Sequence, residues 1–368
     1  MSFTKEDERC LITLAKSLVD PHEARVLVTP NENRPGFWFG GGNMMQASNG
    51  PYLLVGRYRN EGDSRSGLVA GERGVELAIF KVVDAGQTAN KIASFSKQRL
   101  GVGDQRVLSI EGAAIREWND GIELWVSTEK TNRPYPDGFG DYLKPGTGCW
   151  TIDRLWARDI ESLQDAEVQT VVEGNTPGHW HVKDPVLYEH SQTSDVELIF
   201  CTHPYNWASS NTAAVGVSDG RLVGPIQYQA VSRGTIWDVA MTRVTCAVKV
   251  PPVGRFAGRD LTLLFYDGGE CVREHAQHAA GVRRPRGYSC EEIGGAMVLQ
   301  NDNWNTARRL SANEPLFISP YGTGCNRYVD VLSQPDGLIA TWQMAQEDGS
   351  QPLVVNQLSL KQIHSLAS

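Results

Sequence analysis

Five copies of one strand pattern recur along the chain and restrict the folds open to it. Each copy opens with a small-residue or polar segment that leads into a short strand, and a turn joins this strand to a strongly apolar second strand. The second strands read PYLLVGRYRN, IELWVSTEKT, VELIFCTHPYN, LTLLFYDGGE and LIATWQMAQEDG. A unit of about four strands cannot bury both faces alone, so successive units are expected to stack around an axis. The pattern therefore predicts an all-β fold, a five-bladed β-propeller.

The first residues follow a different pattern. Thr4 can cap a short helix that runs to about Leu18, with Asp7 as a capping-box partner three residues on. We therefore expect an N-terminal helical extension over residues 1–25 and a propeller domain over residues 26–368. A two-sheet β-sandwich with insertions is the alternative fold, and the long loop that follows each second strand at the same place counts against it.

The net charge and the cysteines indicate which partners the protein can bind and in which cellular compartment it is expected. The formal net charge is -8. This argues against nucleic acid and anionic membrane surfaces as binding partners, because proteins bind both through basic surfaces. The seven cysteines form no CxxC pair and are expected to be buried, reduced thiols. No signal peptide and no membrane-spanning apolar run is visible. We therefore expect a cytoplasmic protein, and the sequence leaves its oligomeric state open.

The propeller prediction also locates a candidate site. In each blade, the start of the innermost strand and the loop after the second strand lie at the same end of the central channel, so residues distant in sequence converge there. The innermost strands contribute Asn43, Glu111, His181, Lys183, Asp184, Asp238, Arg243, Arg327 and Asp330. The loops and the strand that follows them contribute Arg59, Arg65, His203, Trp207, Asp267 and Glu292.

This mixture of carboxylates, arginines, histidines and aromatic rings suits sugars, whose ring faces stack on aromatics and whose hydroxyls bind polar groups. Glycoside hydrolysis needs two carboxyl groups across the scissile bond, one protonated and one ionised. We expect Asp184 and Glu111 to form this pair, with Glu292 and Asp238 as supporting or substitute members. The residues expected to bind substrate are Asn43, Arg59, Arg65, His181, His203, Trp207, Arg243 and Arg327.

Short motifs resemble those of the five-bladed propeller glycoside hydrolases, which include arabinanase/xylosidase, invertase/levanase and mannoside-phosphorylase types. The KDPV at residues 183–186 is similar to the Asp-Pro motifs that open their inner strands, and FYDGG at residues 265–269 is similar to a second-strand ending. Glu111-Gly112 resembles the segment that carries the general acid in the arabinanase/xylosidase type. The resemblance implies hydrolysis of a small oligosaccharide or glycoside, exo-acting if the loops close a pocket, and inverting.

The chain also departs from the arabinanase/xylosidase pattern. The first inner strand reads GGGN where a catalytic aspartate would stand, and the Glu-Gly blade precedes the Asp-Pro blade instead of following it. Pro185 is expected to hold Asp184 in an extended conformation, which fits a structural turn as well as a catalytic position.

Other functions therefore stay open. One is a phosphorylase or lyase on the same fold, with arginines and histidines that hold phosphate or a uronate. Another is a non-catalytic carbohydrate-binding propeller, in which Glu111 and Asp184 pair with arginines away from the channel. No cofactor and no metal ligand set is expected. A divalent cation such as Ca²⁺ in the channel, or a zinc site at His179, His181 and His203, is a minor alternative.

Overall fold

The computed structural model describes residues 3–48, 50–61, 73–83, 86–143, 146–190, 195–205, 209–269 and 292–368. The described strands form five antiparallel sheets, one for each repeat of the sequence pattern. The five-bladed β-propeller and its short N-terminal helix are thereby confirmed. Two residues expected to bind substrate, Arg65 and Trp207, lie outside the described residues.

The blades follow one another in sequence, and within each the strands run from the channel outwards. Blade one contains β2 (Trp38–Gly40), β3 (Met44–Gln46), β4 (Tyr52–Arg59), β5 (Glu76–Val83) and β6 (Thr88–Ser96). Blade two contains β7 (Val107–Trp118), β8 (Gly121–Lys130), β9 (Cys149–Ala157) and β10 (Gln169–Glu173). Blade three contains β11 (His181–Glu189), β12 (Val196–His203), β13 (Asn211–Ser218) and β14 (Arg221–Val231). Blade four contains β15 (Met241–Lys249), β16 (Leu261–Gly269), β17 (Ile293–Gln300) and β18 (Asn303–Arg309).

Blade five closes the ring with strands from both ends of the sequence. Its inner strands are β19 (Asn326–Gln334), β20 (Gly337–Met344) and β21 (Leu353–Ser359), and its outermost strand is β1 (Arg25–Val28). Strand β1 pairs antiparallel with β21, with Arg25 opposite Val355. The propeller is therefore held closed by a ladder between strands that are far apart in the chain.

Two helices cover the seam between blades four and five. Helix α1 spans Lys5–Leu18, and Thr4 and Asp7 form the predicted capping box at its start. Helix α2 spans Leu360–Leu366. Short 3₁₀ helices occupy Gly140–Tyr142, Ser162–Gln164, Pro177–His179 and Gly254–Phe256. No helix among the described residues combines the length and the apolar character needed to cross a membrane.

The hydrophobic core lies between the blades. Leu77 of blade one and Leu124 of blade two share one cluster, and Trp125 of blade two packs with Phe200 of blade three in the next. Helix α1 adds its buried leucines to the cluster between blades four and five, around Trp342. Burying these faces against neighbouring blades is what the isolated sheets could not achieve. The five described cysteines are buried and form no disulfide, as expected.

The inner strands share an irregularity that shapes the channel. Pairing with the second strand shifts register between Ile110 and Ala113 in blade two, between Lys183 and Val186 in blade three, and between Arg327 and Asp330 in blade five. A similar shift interrupts blade four, and blade one breaks between β2 and β3. Bulges of this kind redirect side chains and are common beside functional sites. Here they turn residues of each blade towards the channel.

Candidate active site

Buried charged side chains from all five blades converge at one end of the channel, which we call the charged mouth. Each of them is at most 8% exposed, and each acts electrostatically on others of the group. For example, Lys183 of blade three lowers the pKa values of Glu111 in blade two and Glu292 at the start of blade four's third strand. The charged mouth comprises Arg57, Arg59, Glu111, Lys183, Asp184, Arg243, Asp267, Glu292 and Arg327. The predicted convergence of inner-strand and loop residues is therefore observed.

Glu111 is held by an arginine of the preceding blade. Arg57 donates to its Oε2 atom from Nη2 at 2.6 Å and from Nε at 2.9 Å. Burial alone would raise the pKa of Glu111, but the charges of Arg57, Lys183 and Arg59 lower it below its usual range. Glu111 is therefore ionised at neutral pH. The salt bridge anticipated by the binding-protein alternative is present, and it lies at the mouth of the channel.

Arg243 is the central cation of the mouth. Its Nη2 atom donates to Glu292 Oε1 at 2.5 Å and lies 3.7 Å from Asp267 Oδ2, and its Nη1 atom lies 3.8 Å from Asp184 Oδ2. Glu292 also accepts from Arg327. Although burial opposes it, these two arginines lower the pKa of Glu292 to about 2. Glu292 is thus an ionised link between guanidinium groups of blades four and five.

Asp267 differs from Glu292 in the direction of its pKa shift. It is 1% exposed, and burial raises its pKa to about 7 despite the nearby charge of Arg243. Its Oδ1 atom accepts from the backbone N–H of Tyr328 at 3.0 Å, and its Oδ2 atom has no hydrogen-bond partner within the described structure. Carboxyl groups with pKa values pushed apart are a frequent property of hydrolytic sites.

Asp184 occupies the most constrained position of the mouth. Its Oδ1 atom accepts from the Gly112 N–H at 3.0 Å and from the Tyr328 hydroxyl at 3.2 Å, while its own N–H donates to Ser127 at 3.0 Å. Its φ is 58°, which is left-handed backbone. The prediction of an extended conformation before Pro185 is therefore wrong. The register shift in β11 and the hydrogen bond to Ser127 override the local preference, and aspartate tolerates left-handed backbone better than most residues.

A second side chain in left-handed backbone meets Asp184 across the channel. Tyr328 of blade five has a φ of 52°, which is uncommon for a bulky residue and concentrates at functional sites. Its N–H is held by Asp267, just as the N–H of Asp184 is held by Ser127. Both strained residues are thus fixed by a side chain from a second strand of the preceding blade. Their hydrogen bond joins blades three and five.

The channel continues inwards from this hydrogen bond. The inner strands enclose a cavity of about 160 Å³ whose wall includes Asp184, Tyr328, Asn43 and Asp330. Asn43, expected to bind substrate, uses its side chain to bridge blades: its Oδ1 accepts from Ile115 N–H and its Nδ2 donates to Ile115 C=O. Both of its polar ends are therefore occupied by backbone.

The predicted histidines lie side by side at the edge of the mouth. The rings of His181 and His203 stack at 4.6 Å, and His181 is bonded on both nitrogens, by Trp150 N–H at 3.3 Å and by the Tyr135 hydroxyl at 2.8 Å. Burial, with Lys183 and Arg133, lowers the pKa of His181 to about 3, so its ring is neutral. His179 faces elsewhere and stacks on Tyr228.

Aromatic rings extend outwards from His181 and form what we call the aromatic rim, which consists of Tyr135, Phe139, Tyr142 and Tyr205. Tyr142 and Tyr205 stack at 4.4 Å, and Phe139 and Tyr135 stack on Tyr205 at 5.8 Å and 6.3 Å. Tyr142 is 54% exposed. Exposed aromatic faces beside a polar pocket suit ring-shaped ligands with apolar faces.

The two outer arginines share one aromatic ring. The guanidinium carbon of Arg59 lies 4.3 Å, and that of Arg327 4.6 Å, from the ring centre of Trp38. Cation–π contacts of this kind fix the planes of guanidinium groups and favour arginine over lysine. Both predicted arginines are therefore present at the mouth, on the side of blades one and five.

Asp238 lies in a separate cluster. Its Oδ2 atom accepts from Arg309 Nε at 2.8 Å and from the Tyr266 hydroxyl at 3.1 Å, and Arg309 ends the outermost strand of blade four. These partners hold the loop before β15 against the blade. The structure thus brings together Glu111, Asp184 and Glu292 of the four expected acids, and places Asp238 apart from them.

Sequence reasoning gave no role to four residues that shape the mouth: Trp38, Lys183, Asp267 and Tyr328. Lys183 and Asp267 were expected at the mouth from their positions in blades three and four, but no feature of the sequence assigned them a function. Tyr328 carries no signal, because a tyrosine in left-handed backbone cannot be foreseen from its neighbours. Among the described residues, no group of three or more His, Cys, Asp or Glu side chains is arranged to hold a metal ion.

The fold and this mouth define a five-bladed propeller with a polar, carboxylate-rich pocket on its axis. No family model matches the chain, and no curated protein matches its sequence. Solved structures do match: a thermostable family-43 glycoside hydrolase has a TM-score of 0.56 at 11% identity, over 90% of this chain and 92% of that one. An alpha-L-arabinofuranosidase from Lactobacillus brevis has a TM-score of 0.56 at 10% identity, over 93% of both chains.

The fold is shared by an enzyme of a second kind. A beta-1,2-mannobiose phosphorylase from Listeria innocua, in complex with beta-1,2-mannobiose, has a TM-score of 0.55 at 12% identity, over 95% of this chain and 97% of that one. Identities this low show a common fold, and function has to be argued from the site. The expected likeness to five-bladed propeller glycoside hydrolases is confirmed at that level.

Proposed function

We propose that this protein is a glycoside hydrolase that cleaves a small oligosaccharide or glycoside at the charged mouth. The observation that carries the proposal is that Glu111 and Asp184, from neighbouring blades, both act electrostatically on the Tyr328 hydroxyl at the charged mouth. Gly112, which follows Glu111, donates its N–H to Asp184 Oδ1, and a Cβ atom at this glycine would lie 2.7 Å from that oxygen. Glycoside hydrolysis typically requires two carboxyl groups that flank the scissile glycosidic bond.

The two carboxyl groups are suited to different roles. Glu111 is kept ionised by Arg57. We therefore assign it the role of the base that activates water, or of the negative charge that stabilises an oxocarbenium-like transition state. Asp184 is held through Oδ1, and its Oδ2 atom accepts no hydrogen bond from the described residues. We assign Asp184 the role of the acid that assists departure of the leaving group.

Other mouth residues would bind the sugar. His203, Arg59 and Arg327 supply polar contacts, and the aromatic rim supplies stacking surface. We expect exo-action if a closed pocket surrounds the mouth, and inversion by analogy with the arabinanase/xylosidase type. The five described cysteines, which are buried and form no disulfide, support action in a reducing compartment such as the cytoplasm.

Hydrolysis of nitrophenyl glycosides and reduced oligosaccharides tests the proposal. Asp184→Asn and Glu111→Gln should each lose about a thousandfold in kcat, within the range expected for removal of an acid or base. Glu161→Gln, at an exposed position of blade two, is the matched control. Circular dichroism and thermal melting establish that each variant is folded.

Leaving-group dependence then separates the two roles. A dinitrophenyl leaving group needs little protonation, so Asp184→Asn should keep most of its activity on that substrate, while Glu111→Gln should not. The reverse result would exchange the assignments. NMR of the first-formed sugar reports the anomeric outcome. Full activity in both variants would refute a role for this pair.

Phosphorolysis is the second candidate, favoured by the number of basic groups at the mouth. It predicts that wild-type turnover requires inorganic phosphate and releases a sugar phosphate. Sugar binding without turnover, with or without phosphate, would favour a carbohydrate-binding protein instead. An unsaturated product that absorbs in the ultraviolet would indicate a lyase.

A further inference from the structure

Lys183 is a buried cation without a carboxylate partner in the described part of the chain. It lies on the inner strand β11 and is 8% exposed, and its Nζ atom lies 5.4 Å from the centre of the Trp150 ring. Among the described residues, no acidic oxygen lies within salt-bridge distance of Nζ, whereas Arg57, Arg243 and Arg327 all contact carboxylates. A buried ammonium group that lacks such a partner is costly.

His203 lies next to Lys183 and also lacks hydrogen-bond partners among the described residues. Strand pairing sets His203 opposite His181 and Cys201 opposite Lys183, so Lys183 and His203 are diagonal neighbours on one face of the sheet. His203 is 4% exposed, and neither of its ring nitrogens has a hydrogen bond within the described part of the chain. Burial, then the charges of His181, Lys183 and Arg243, lower its pKa well below the usual value. Its neutral ring offers one N–H donor.

The surrounding charges leave the mouth short of negative charge. Five basic side chains meet four acidic ones, and Asp267, with a pKa of about 7, is partly protonated near neutral pH. The Nε atom of Arg243 also lacks an acceptor in the described structure. An oxyanion would satisfy these donors and supply the missing charge, because charge-assisted hydrogen bonds are the strongest of their kind.

We propose that Lys183 and His203 form a subsite for an oxyanion: a carboxylate carried by the sugar substrate, or free phosphate bound beside it. This inference rests on the proposed function, since it names the chemical class that the same mouth selects. Lys183 supplies the positive charge, and His203 donates its N–H to a second oxygen of the same group.

Binding measured by isothermal titration tests the inference on the wild-type protein first. The probes are D-glucuronate and D-galacturonate, their neutral counterparts D-glucose and D-galactose, and inorganic phosphate. At least one anion should bind about tenfold or more tightly than the neutral sugars, as a charge-assisted hydrogen bond provides. Preference for a uronate assigns the anion to the substrate, and binding of phosphate assigns it to a free ion.

Variants of Lys183 then locate the subsite. Lys183→Met should lose the preference for the anion, Lys183→Arg should keep most of it, and Lys91→Met, outside the mouth on β6, should match the wild type. The inference would be overturned if the wild type bound acidic and neutral sugars equally and did not bind phosphate. An undiminished anion preference in folded Lys183→Met would also overturn it.

The failure of this inference is distinguishable from failure of the proposed function. A wild type that binds an anion through Lys183 but cleaves no glycoside would refute the hydrolase and keep the subsite. A wild type that cleaves neutral glycosides, with unchanged kcat/KM in Lys183→Met and no anion preference, would refute the subsite and keep the hydrolase.

Discussion

Asp330 provides a stringent test of the electrostatics of the channel. This carboxyl group lines the central cavity, is 8% exposed, and accepts from the Met44 N–H through Oδ2 at 2.8 Å. Burial raises its pKa to about 7, although hydrogen bonds from the backbone of Met44 and Val331 act in the opposite direction. Asp330 should therefore be protonated in the folded protein over much of the acidic pH range.

The size of the effect follows from the two states of the chain. In the unfolded chain an aspartate has a pKa of about 3.9, and one pKa unit corresponds to about 1.36 kcal/mol. Between these two pKa values the folded state binds more protons than the unfolded state, so the free energy of unfolding falls as pH rises. The titration of Asp330 should therefore lower the free energy of unfolding of the wild type by about 2–3 kcal/mol between pH 5 and pH 8. Asp330→Asn keeps the acceptor for Met44 and removes the titration.

Urea denaturation at pH 5 and pH 8 measures this difference. Relative to the wild type, Asp330→Asn should gain about 2–3 kcal/mol on moving from pH 5 to pH 8. Asp336→Asn, at an exposed position of the β19–β20 turn, should follow the wild type at both pH values. A pH-independent difference between the wild type and Asp330→Asn would mean that the folded protein keeps Asp330 ionised, and the burial argument would fail.

Three further predictions concern the mouth. Tyr328→Phe removes the hydroxyl that donates to Asp184, so kcat should fall about tenfold to a hundredfold with little change in KM. An unchanged kcat would show that this hydrogen bond does not contribute to catalysis. Arg57→Met leaves Glu111 buried without its counter-charge and should lower the free energy of unfolding by about 3–5 kcal/mol, partly restored by adding Glu111→Gln. Tyr142→Ala should raise KM for longer oligosaccharides more than for nitrophenyl glycosides, and an equal effect on both would exclude stacking at the aromatic rim.

Much of the fold was accessible from the sequence because local signals agreed with it. The apolar second strands predicted the blades, and Thr4 with Asp7 predicted the start of α1, since capping depends on neighbouring residues. The pairing of β1 with β21 was not foreseen. It joins segments at opposite ends of the sequence, and four residues carry little pattern of their own.

The site was predictable in position and less so in detail. Propeller topology was enough to bring Glu111, Asp184 and Glu292 to one mouth. It could not show that Asn43 bridges to Ile115 or that Asp238 binds Arg309, because those partners depend on packing between strands distant in sequence. The backbone of Asp184 was misjudged for a related reason: contacts with neighbouring blades outweigh the preference imposed by Pro185.

The closure of blade five bears on how the chain is made. During synthesis, β1 leaves the ribosome early, but its partner β21 emerges only after all the other blades. An unpaired strand edge invites association with other chains, so the interval before closure is the period of greatest risk for aggregation. Conditions that slow translation should lengthen that interval, whereas a circular permutant in which β1 follows β21 directly would remove it.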